Sequence, residues 1–93
     1  MGNKARTRVL ISGRVQGVFF RMETKRFSDQ IGVTGWVRNK ADGKVEAVFE
    51  GDEGLVNQAV SWCKKGPPRS NVTDINVFPE EYAGEFTSFN IEH

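Results

Sequence analysis

VLISGRVQGVFFR, residues 9–21, joins an apolar run to a helical pattern through two glycines. The run Val9-Leu10-Ile11 predicts a buried strand, and Gly13 and Gly17 allow the backbone to turn sharply into a helix. A helix that begins in this way leaves unpaired backbone N–H groups close to one point. Arg21, in the first turn of that helix, adds a fixed positive charge. The stretch therefore predicts a binding site for a small anion, and a phosphate is the simplest candidate.

The rest of the chain supplies the partners that this strand and helix need. The first helix runs from Phe20 to a stop at Gly32, and a second begins at the N-cap Asp52 and ends before Gly66. Strands are predicted over residues 7–13, 35–39, 44–50, 72–78 and 86–91. This order predicts an α+β fold, a ferredoxin-like split βαβ sandwich, in which two helices pack on one face of a mostly antiparallel sheet of four to five strands.

Residues 44–50 alternate strictly between two sets of side chains. One set is apolar and is expected to face the helices: Val45, Ala47 and Phe49. The other set is Lys44, Glu46, Val48 and Glu50. Because this second set is mostly charged, we expect the opposite face of the sheet to be solvated.

The 93 residues are predicted to form a single domain, 1–93. Residues 1–6 are polar, and we expect them to form a flexible tail. Seven Phe and two Trp supply enough apolar material for one core without metal or disulfide support.

Composition excludes several classes of protein. The net charge of +1 provides no general basic surface for nucleic acid or membrane. The single cysteine, Cys63, excludes an intrachain disulfide and a four-cysteine zinc site. No apolar run approaches the length of a membrane span, and the charged start lacks the apolar stretch of a signal peptide. We therefore expect a cytoplasmic protein.

The position of Arg21 is electrostatically unfavourable by itself, since the N-terminal end of a helix is positive. A bound anion would compensate the charge of Arg21, because a guanidinium can hold two phosphate oxygens at once. The loop is neither a Walker A motif nor a dinucleotide-binding motif. From spacing alone, an ordinary glycine-containing turn with a solvent-facing arginine explains the pattern equally well.

Two segments resemble signatures of the acylphosphatase family. The first is Gly13-Arg14-Val15-Gln16-Gly17-Val18-Phe19-Phe20-Arg21, and the second runs from Gly35-Trp36-Val37-Arg38-Asn39 through Asp42-Gly43-Lys44-Val45 to Gly51. They occur in the family's order and at a family-like separation, and the resemblance covers nearly the whole chain. Phe19 is the position at which the chain departs from the family pattern.

The resemblance implies an enzyme that hydrolyses the carboxyl–phosphate bond of acyl phosphates, without metal, cofactor or covalent enzyme intermediate. By matched position, Arg21 corresponds to the phosphate-binding arginine and Asn39 to the asparagine that orients the attacking water. The implied phosphate-binding residues are Val15, Gln16, Gly17, Val18, Phe19, Phe20 and Arg21, of which the first six would act through backbone N–H groups.

Asn39 cannot act as a general base, because an amide is not basic near neutral pH. Its alternative explanation is structural, since asparagine is common before tight turns. The other reactive side chains suit structural roles better: His93 is the last residue, and Cys63 lies on the apolar face of the second helix.

Two other functions remain open at this level. One is an RNA-binding ferredoxin-like module, which the carboxylates of 44–50 and the lack of an aromatic pair there disfavour. The other is a non-catalytic module that binds phosphate or carbamoyl phosphate within a larger enzyme. The expected ligands are a small acyl phosphate and inorganic phosphate. No nucleic acid or membrane partner is expected, and the protein is expected to be a monomer.

Overall fold

The computed structural model describes residues 3–93, which form five strands and two helices in the predicted order. The strands are β1 (Lys4–Arg14), β2 (Thr34–Asn39), β3 (Val45–Asp52), β4 (Asn71–Glu80) and β5 (Phe89–Ile91). The helices are α1 (Phe20–Ile31) and α2 (Glu53–Lys65). The strands form one sheet in the order β4-β1-β3-β2-β5, antiparallel except for the parallel pair β2–β5. The predicted α+β sandwich is confirmed.

The helices begin and end at the predicted signals. Gly32 closes α1 in the left-handed conformation, and its N–H donates to the carbonyl oxygen of Ser28 at 2.9 Å. The carboxylate of Asp52 accepts hydrogen bonds from the N–H groups of Gly54 and Leu55 at the start of α2. Both caps satisfy backbone groups that a helix end leaves unpaired.

The core lies between the helices and the inner face of the sheet. Trp62 of α2 packs on Phe20 edge-to-face and stacks on Phe27, both of α1, with ring centroids 5.6 Å apart in each case. Phe49 and Phe89 stack across the sheet at the same distance. The two contacts of Trp62 hold α1, and with it the end of the loop that precedes α1, against α2. Within residues 3–93, neither helix is long and apolar enough to cross a membrane.

The prediction of a flexible tail over residues 1–6 is wrong for its second half. β1 begins at Lys4, and Lys4, Ala5 and Arg6 pair with Asp52, Gly51 and Glu50 of β3. Arg6, one of the polar residues that suggested a tail, instead pairs with the carboxylates of Glu50 and Glu80 on neighbouring strands. Residues 1 and 2 lie outside the described part of the chain.

The prediction of a solvated outer sheet face is also wrong. Glu46, Val48 and Glu50 are all buried there. Arg8 and Arg38 contact the carboxylate of Glu46 at 3.1 and 2.7 Å. The alternation in the sequence correctly separates the two faces, but the arginines of neighbouring strands cover the second one.

The strand ends differ from the prediction as well. β4 continues through Pro79 to Glu80, beyond the predicted end at residue 78. An edge strand tolerates a proline because one row of its N–H groups needs no partner in the sheet. β5 is limited to Phe89–Ile91 instead of residues 86–91.

Candidate active site

The loop between β1 and α1 is fastened to the core by two valines. Val15 and Val18 are buried, and Gly17 between them has φ of 73° with open space where a side chain would stand. At the start of the loop, Gly13 lies so close to β4 that a Cβ would meet the carbonyl oxygen of Asn71 at 2.1 Å. The two glycines thus have different roles. Gly13 allows β1 to pack closely against β4, and Gly17 allows the backbone to turn.

The start of α1 leaves its first backbone N–H groups without protein partners. The first hydrogen bond of the helix runs from the N–H of Glu23 to the carbonyl oxygen of Phe19 at 3.0 Å. Phe19 is the N-cap residue, and its side chain caps nothing. Within residues 3–93, no acceptor receives the N–H groups from Gly17 to Met22. These groups and the positive end of the helix are suited to an anion.

Arg21 is half-buried in the first turn of α1. Among the described residues, no carboxylate lies within ion-pair distance of its guanidinium. On the same helix, Lys25 pairs with Asp29 at 2.9 Å. Arg21 is thus a cation at the positive end of a helix, and no carboxylate of residues 3–93 compensates it.

Asn39 ends β2, just before the β2–β3 turn. The turn is capped by Asp42, whose carboxylate accepts from the N–H of Lys44 at 3.0 Å, and by Gly43 at φ of 93°. The side chain of Asn39 makes no hydrogen bond within residues 3–93. The structural explanation for this asparagine therefore fails, because Asp42 performs the capping.

Gln16 connects the loop to that turn. Its Nε2 donates to the carbonyl oxygens of Lys40 and Lys44, at 2.7 and 2.9 Å. The motif predicted a role only for the backbone N–H of Gln16, whereas its side chain makes this contact. No periodicity marks such a bond, since its acceptors are backbone atoms more than twenty positions away.

A cavity of about 340 Å³, here called the phosphoryl pocket, brings the two segments together. Arg21 and Asn39 both line it. Its other lining residues are Val15, Gly17, Phe19, Phe20, Met22, Ile91 and His93. Of the predicted phosphate-binding residues, Gln16 and Val18 do not line it. Met22, Ile91 and His93 belong to the wall of the pocket although neither motif includes them.

The remaining reactive groups do not form a second site. Cys63 is buried in the core, and burial raises the pKa of its thiol, which matches the predicted structural role. Within residues 3–93, no three His, Cys, Asp or Glu side chains are grouped as metal ligands would be. His93 is exposed at the edge of the phosphoryl pocket.

The acylphosphatase family model matches residues 7–91, nearly the whole chain. The chain belongs to the acylphosphatase family. It is 49% identical over 89 residues to an acylphosphatase of Pelotomaculum thermopropionicum, covering 96% of this chain and 97% of that one. It is 52% identical to an acylphosphatase of Syntrophobacter fumaroxidans, covering 96% and 92%. The crystal structure of acylphosphatase from Bacillus subtilis superimposes with a TM-score of 0.91 at 37% identity, covering 96% and 99%.

Family membership confirms the resemblance found in the sequence and makes the chain a hydrolase of acyl phosphates. The matched segment includes both the loop with Arg21 and the strand with Asn39.

Proposed function

We propose that the phosphoryl pocket binds the phosphoryl group of an acyl phosphate between the 15–20 loop and Arg21, and that Asn39 orients the water that attacks it. The observation that carries this proposal is the shared lining of one pocket by Arg21 and Asn39, which lie on different elements. Both groups lack protein partners within residues 3–93, so both are available to a ligand.

The phosphoryl oxygens would accept hydrogen bonds from the unpaired N–H groups of the loop and the first turn of α1. The guanidinium of Arg21 would hold two of these oxygens, and each charged hydrogen bond contributes about 1.5–3 kcal/mol. Since phosphoryl transfer is largely a matter of positioning and charge stabilisation, this set is sufficient to lower the barrier.

In the reaction, the water oxygen forms a bond to phosphorus while the bond between phosphorus and the acyl oxygen breaks. The leaving group is a carboxylate, which is stable as an anion and needs no proton. Asn39 is not basic, so its amide serves to hold the water by hydrogen bonds. A phosphate oxygen of the substrate takes the proton of the water. No metal ion takes part in these steps.

The direct test measures phosphate release from benzoyl phosphate in excess EDTA. We expect the wild type to be active, and Arg21→Ala to lose both turnover and inhibition by inorganic phosphate. Arg21→Lys should also be strongly impaired, because an ammonium cannot make the forked contact. Activity that required added Mg²⁺ would contradict the metal-free mechanism, and full activity in Arg21→Ala would remove the arginine from it.

A second measurement separates the two residues. Asn39→Ala should lower kcat by about a hundredfold while the inhibition constant of phosphate changes little, because only water positioning is lost. If phosphate inhibition weakened as much as turnover, Asn39 would be a phosphate ligand instead.

We infer that nucleic acid is not a partner, because the outer sheet face presents arginines that its own carboxylates neutralise. Arg8 lies over the ring of Phe78 at 4.5 Å from the centroid, and Arg38 lies over Trp36 at 5.5 Å. One face of each ring is therefore occupied by an arginine and is not free to stack on a base, as the aromatic rings of RNA-binding sheets do. Tight binding of single-stranded RNA at low salt, measured by fluorescence polarisation, would reverse this inference.

We also propose that the protein is a cytoplasmic monomer. Its edge strands are poor templates for pairing, since β4 carries Pro79 and ends at the charged Glu80, and β5 has only three residues. Light scattering coupled to size-exclusion chromatography should give a mass close to 10.4 kDa.

A further inference from the structure

An apolar groove adjoins the phosphoryl pocket. It has a volume of about 240 Å³. Phe19 and Met22 line both cavities, and Val18, Pro67 and Pro68 extend the apolar wall away from the pocket. The two cavities therefore share a wall formed by Phe19 and Met22, and a ligand that extends past these two residues from the phosphoryl pocket meets the groove.

The two shared residues are unusual in their exposure. Phe19, the N-cap residue, is 61% exposed, and Met22, in the first turn of α1, is 53% exposed. Phe19 is also the only residue other than glycine with positive φ within residues 3–93, at 63°. A left-handed conformation is sterically disfavoured for a phenylalanine, and such strain tends to persist where it serves a function.

The direction of the reaction favours the groove as the exit for the leaving group. In phosphoryl transfer, the attacking and leaving oxygens lie roughly in line on opposite sides of phosphorus. Asn39, the residue assigned to the water, lines the phosphoryl pocket but not the groove. The acyl oxygen must therefore point away from Asn39, and the groove beyond Phe19 and Met22 is an apolar surface that it can reach.

Building on the function proposed above, we propose that this groove is the acyl subsite and that the preferred substrates carry a compact apolar acyl group. The groove is smaller than the roughly 300–1,000 Å³ of pockets that hold drug-sized ligands, so it suits a single ring or a short branched chain. The charges at its edge are Glu23, whose carboxylate lies 3.8 Å from Arg26, and Arg69. With both signs present, the edge selects for neither an acidic nor a basic acyl group.

The test compares benzoyl phosphate with acetyl phosphate in the wild type and in two variants, Met22→Ala and Phe19→Asn. Asparagine tolerates the left-handed conformation, so the second variant removes the ring while the backbone can keep its conformation at position 19. The intrinsic reactivity of each substrate is the same for every variant. A change in the ratio of the two kcat/KM values therefore reports contact with the acyl group.

We expect the ratio of benzoyl to acetyl phosphate to fall roughly three- to tenfold in each variant, as apolar contact with the ring is lost. Met22→Leu preserves the apolar surface and should keep the benzoyl-to-acetyl ratio close to that of the wild type. Val77→Ala is the matched control, because Val77 is another exposed apolar residue and lies on β4, away from both cavities.

An unchanged ratio in both variants would overturn the acyl subsite while leaving the proposed function intact. The acyl subsite would also be overturned if the inhibition constant of inorganic phosphate rose as much as the KM for benzoyl phosphate. Phosphate has no acyl group, so an equal rise would mean that the variants weaken phosphoryl binding instead. If the wild type hydrolysed neither substrate, the proposed function itself would fail, and the acyl subsite with it.

Discussion

The phosphoryl pocket and the outer face of the sheet use arginine in opposite ways. Arg21, in the pocket, has no carboxylate partner within residues 3–93. Arg6, on the outer face, contacts three: Glu50 at 3.4 Å, Glu80 at 2.9 Å, and Glu85. The same side chain is thus fully engaged in one region and left free in the other.

Glu50 shows how completely the outer face is satisfied. It is 1% exposed, and it accepts hydrogen bonds from the backbone N–H groups of Ala83, Gly84 and Glu85 at 2.9–3.2 Å. Burial alone would raise the pKa of this carboxyl, but these donors and Arg6 outweigh burial and hold it below its usual value. In the same cluster, the hydrogen bond to Glu85 above all raises the pKa of Arg6.

The comparison separates stability from function. Pairing every buried charge stabilises the outer face and fastens residues 83–85 across it. At the pocket, unpaired N–H groups, a free guanidinium and the strained Phe19 are costs to stability that a ligand can recover. Substitutions in the two regions should therefore affect different measurements.

The largest effect should come from Arg21→Ala. We expect kcat/KM to fall about a thousandfold or more, because an arginine that stabilises phosphoryl transfer contributes on this scale. The free energy of unfolding without ligand should stay constant or rise by about 0.3–1 kcal/mol, since a cation is removed from the positive end of α1. Arg26→Ala is the matched control: this arginine lies on the same helix, is highly exposed, and should leave kcat/KM unchanged.

Arg6→Ala should produce the opposite result. The unfolding free energy should fall by about 2–4 kcal/mol, because the buried carboxylate of Glu50 loses its charged partner. Its three backbone donors remain, which keeps the loss from being larger. Urea denaturation measures the first effect, and the benzoyl phosphate assay at a temperature where both proteins are folded should show nearly unchanged kcat. A large loss of kcat in the folded variant would show that the two regions are coupled.

Acid should weaken the outer face specifically. Because the pKa of Glu50 is lower in the folded than in the unfolded chain, its contribution is present at neutral pH. It declines as the pH falls below about 4.5, the ordinary glutamate value, and is lost once the pH passes below the folded pKa. We expect the wild type to be more stable than Glu50→Gln by about 1–3 kcal/mol at pH 7, and this gap to close with acid. A gap that stayed constant from pH 7 to pH 3 would contradict the assigned cause.

The smallest effect should come from Gln16→Ala, which cuts the link between the loop and the β2–β3 turn. We expect a loss of about 1 kcal/mol in unfolding free energy and about tenfold in kcat, because Asn39 is held less firmly relative to Arg21. Asn90→Ala, which removes an exposed amide bonded only to Ser88, should change neither quantity. If kcat were unaffected by Gln16→Ala, the link would serve the fold alone.

Local patterns were sufficient for most of the fold. The helix start at Phe20 and the caps at Gly32 and Asp52 depend on residues within a few positions of the chain, and all were predicted correctly. The start of β1 and the cover of the outer face were missed. Both depend on pairs such as Arg6 with Glu80, whose members lie 74 positions apart and carry no local signal.

Local patterns predicted the fold class and the loop that presents free N–H groups, and two motifs predicted the family and the candidates Arg21 and Asn39. Only the packed structure shows that these two side chains line one pocket, that Gln16 connects their segments, and that Phe19 and Met22 form an apolar wall beside it. The two kinds of information differ in how far along the chain the interacting residues lie. Periodicity, caps and turns act between neighbours in the chain, whereas a site is made by contacts between segments that meet only when the sheet and helices pack.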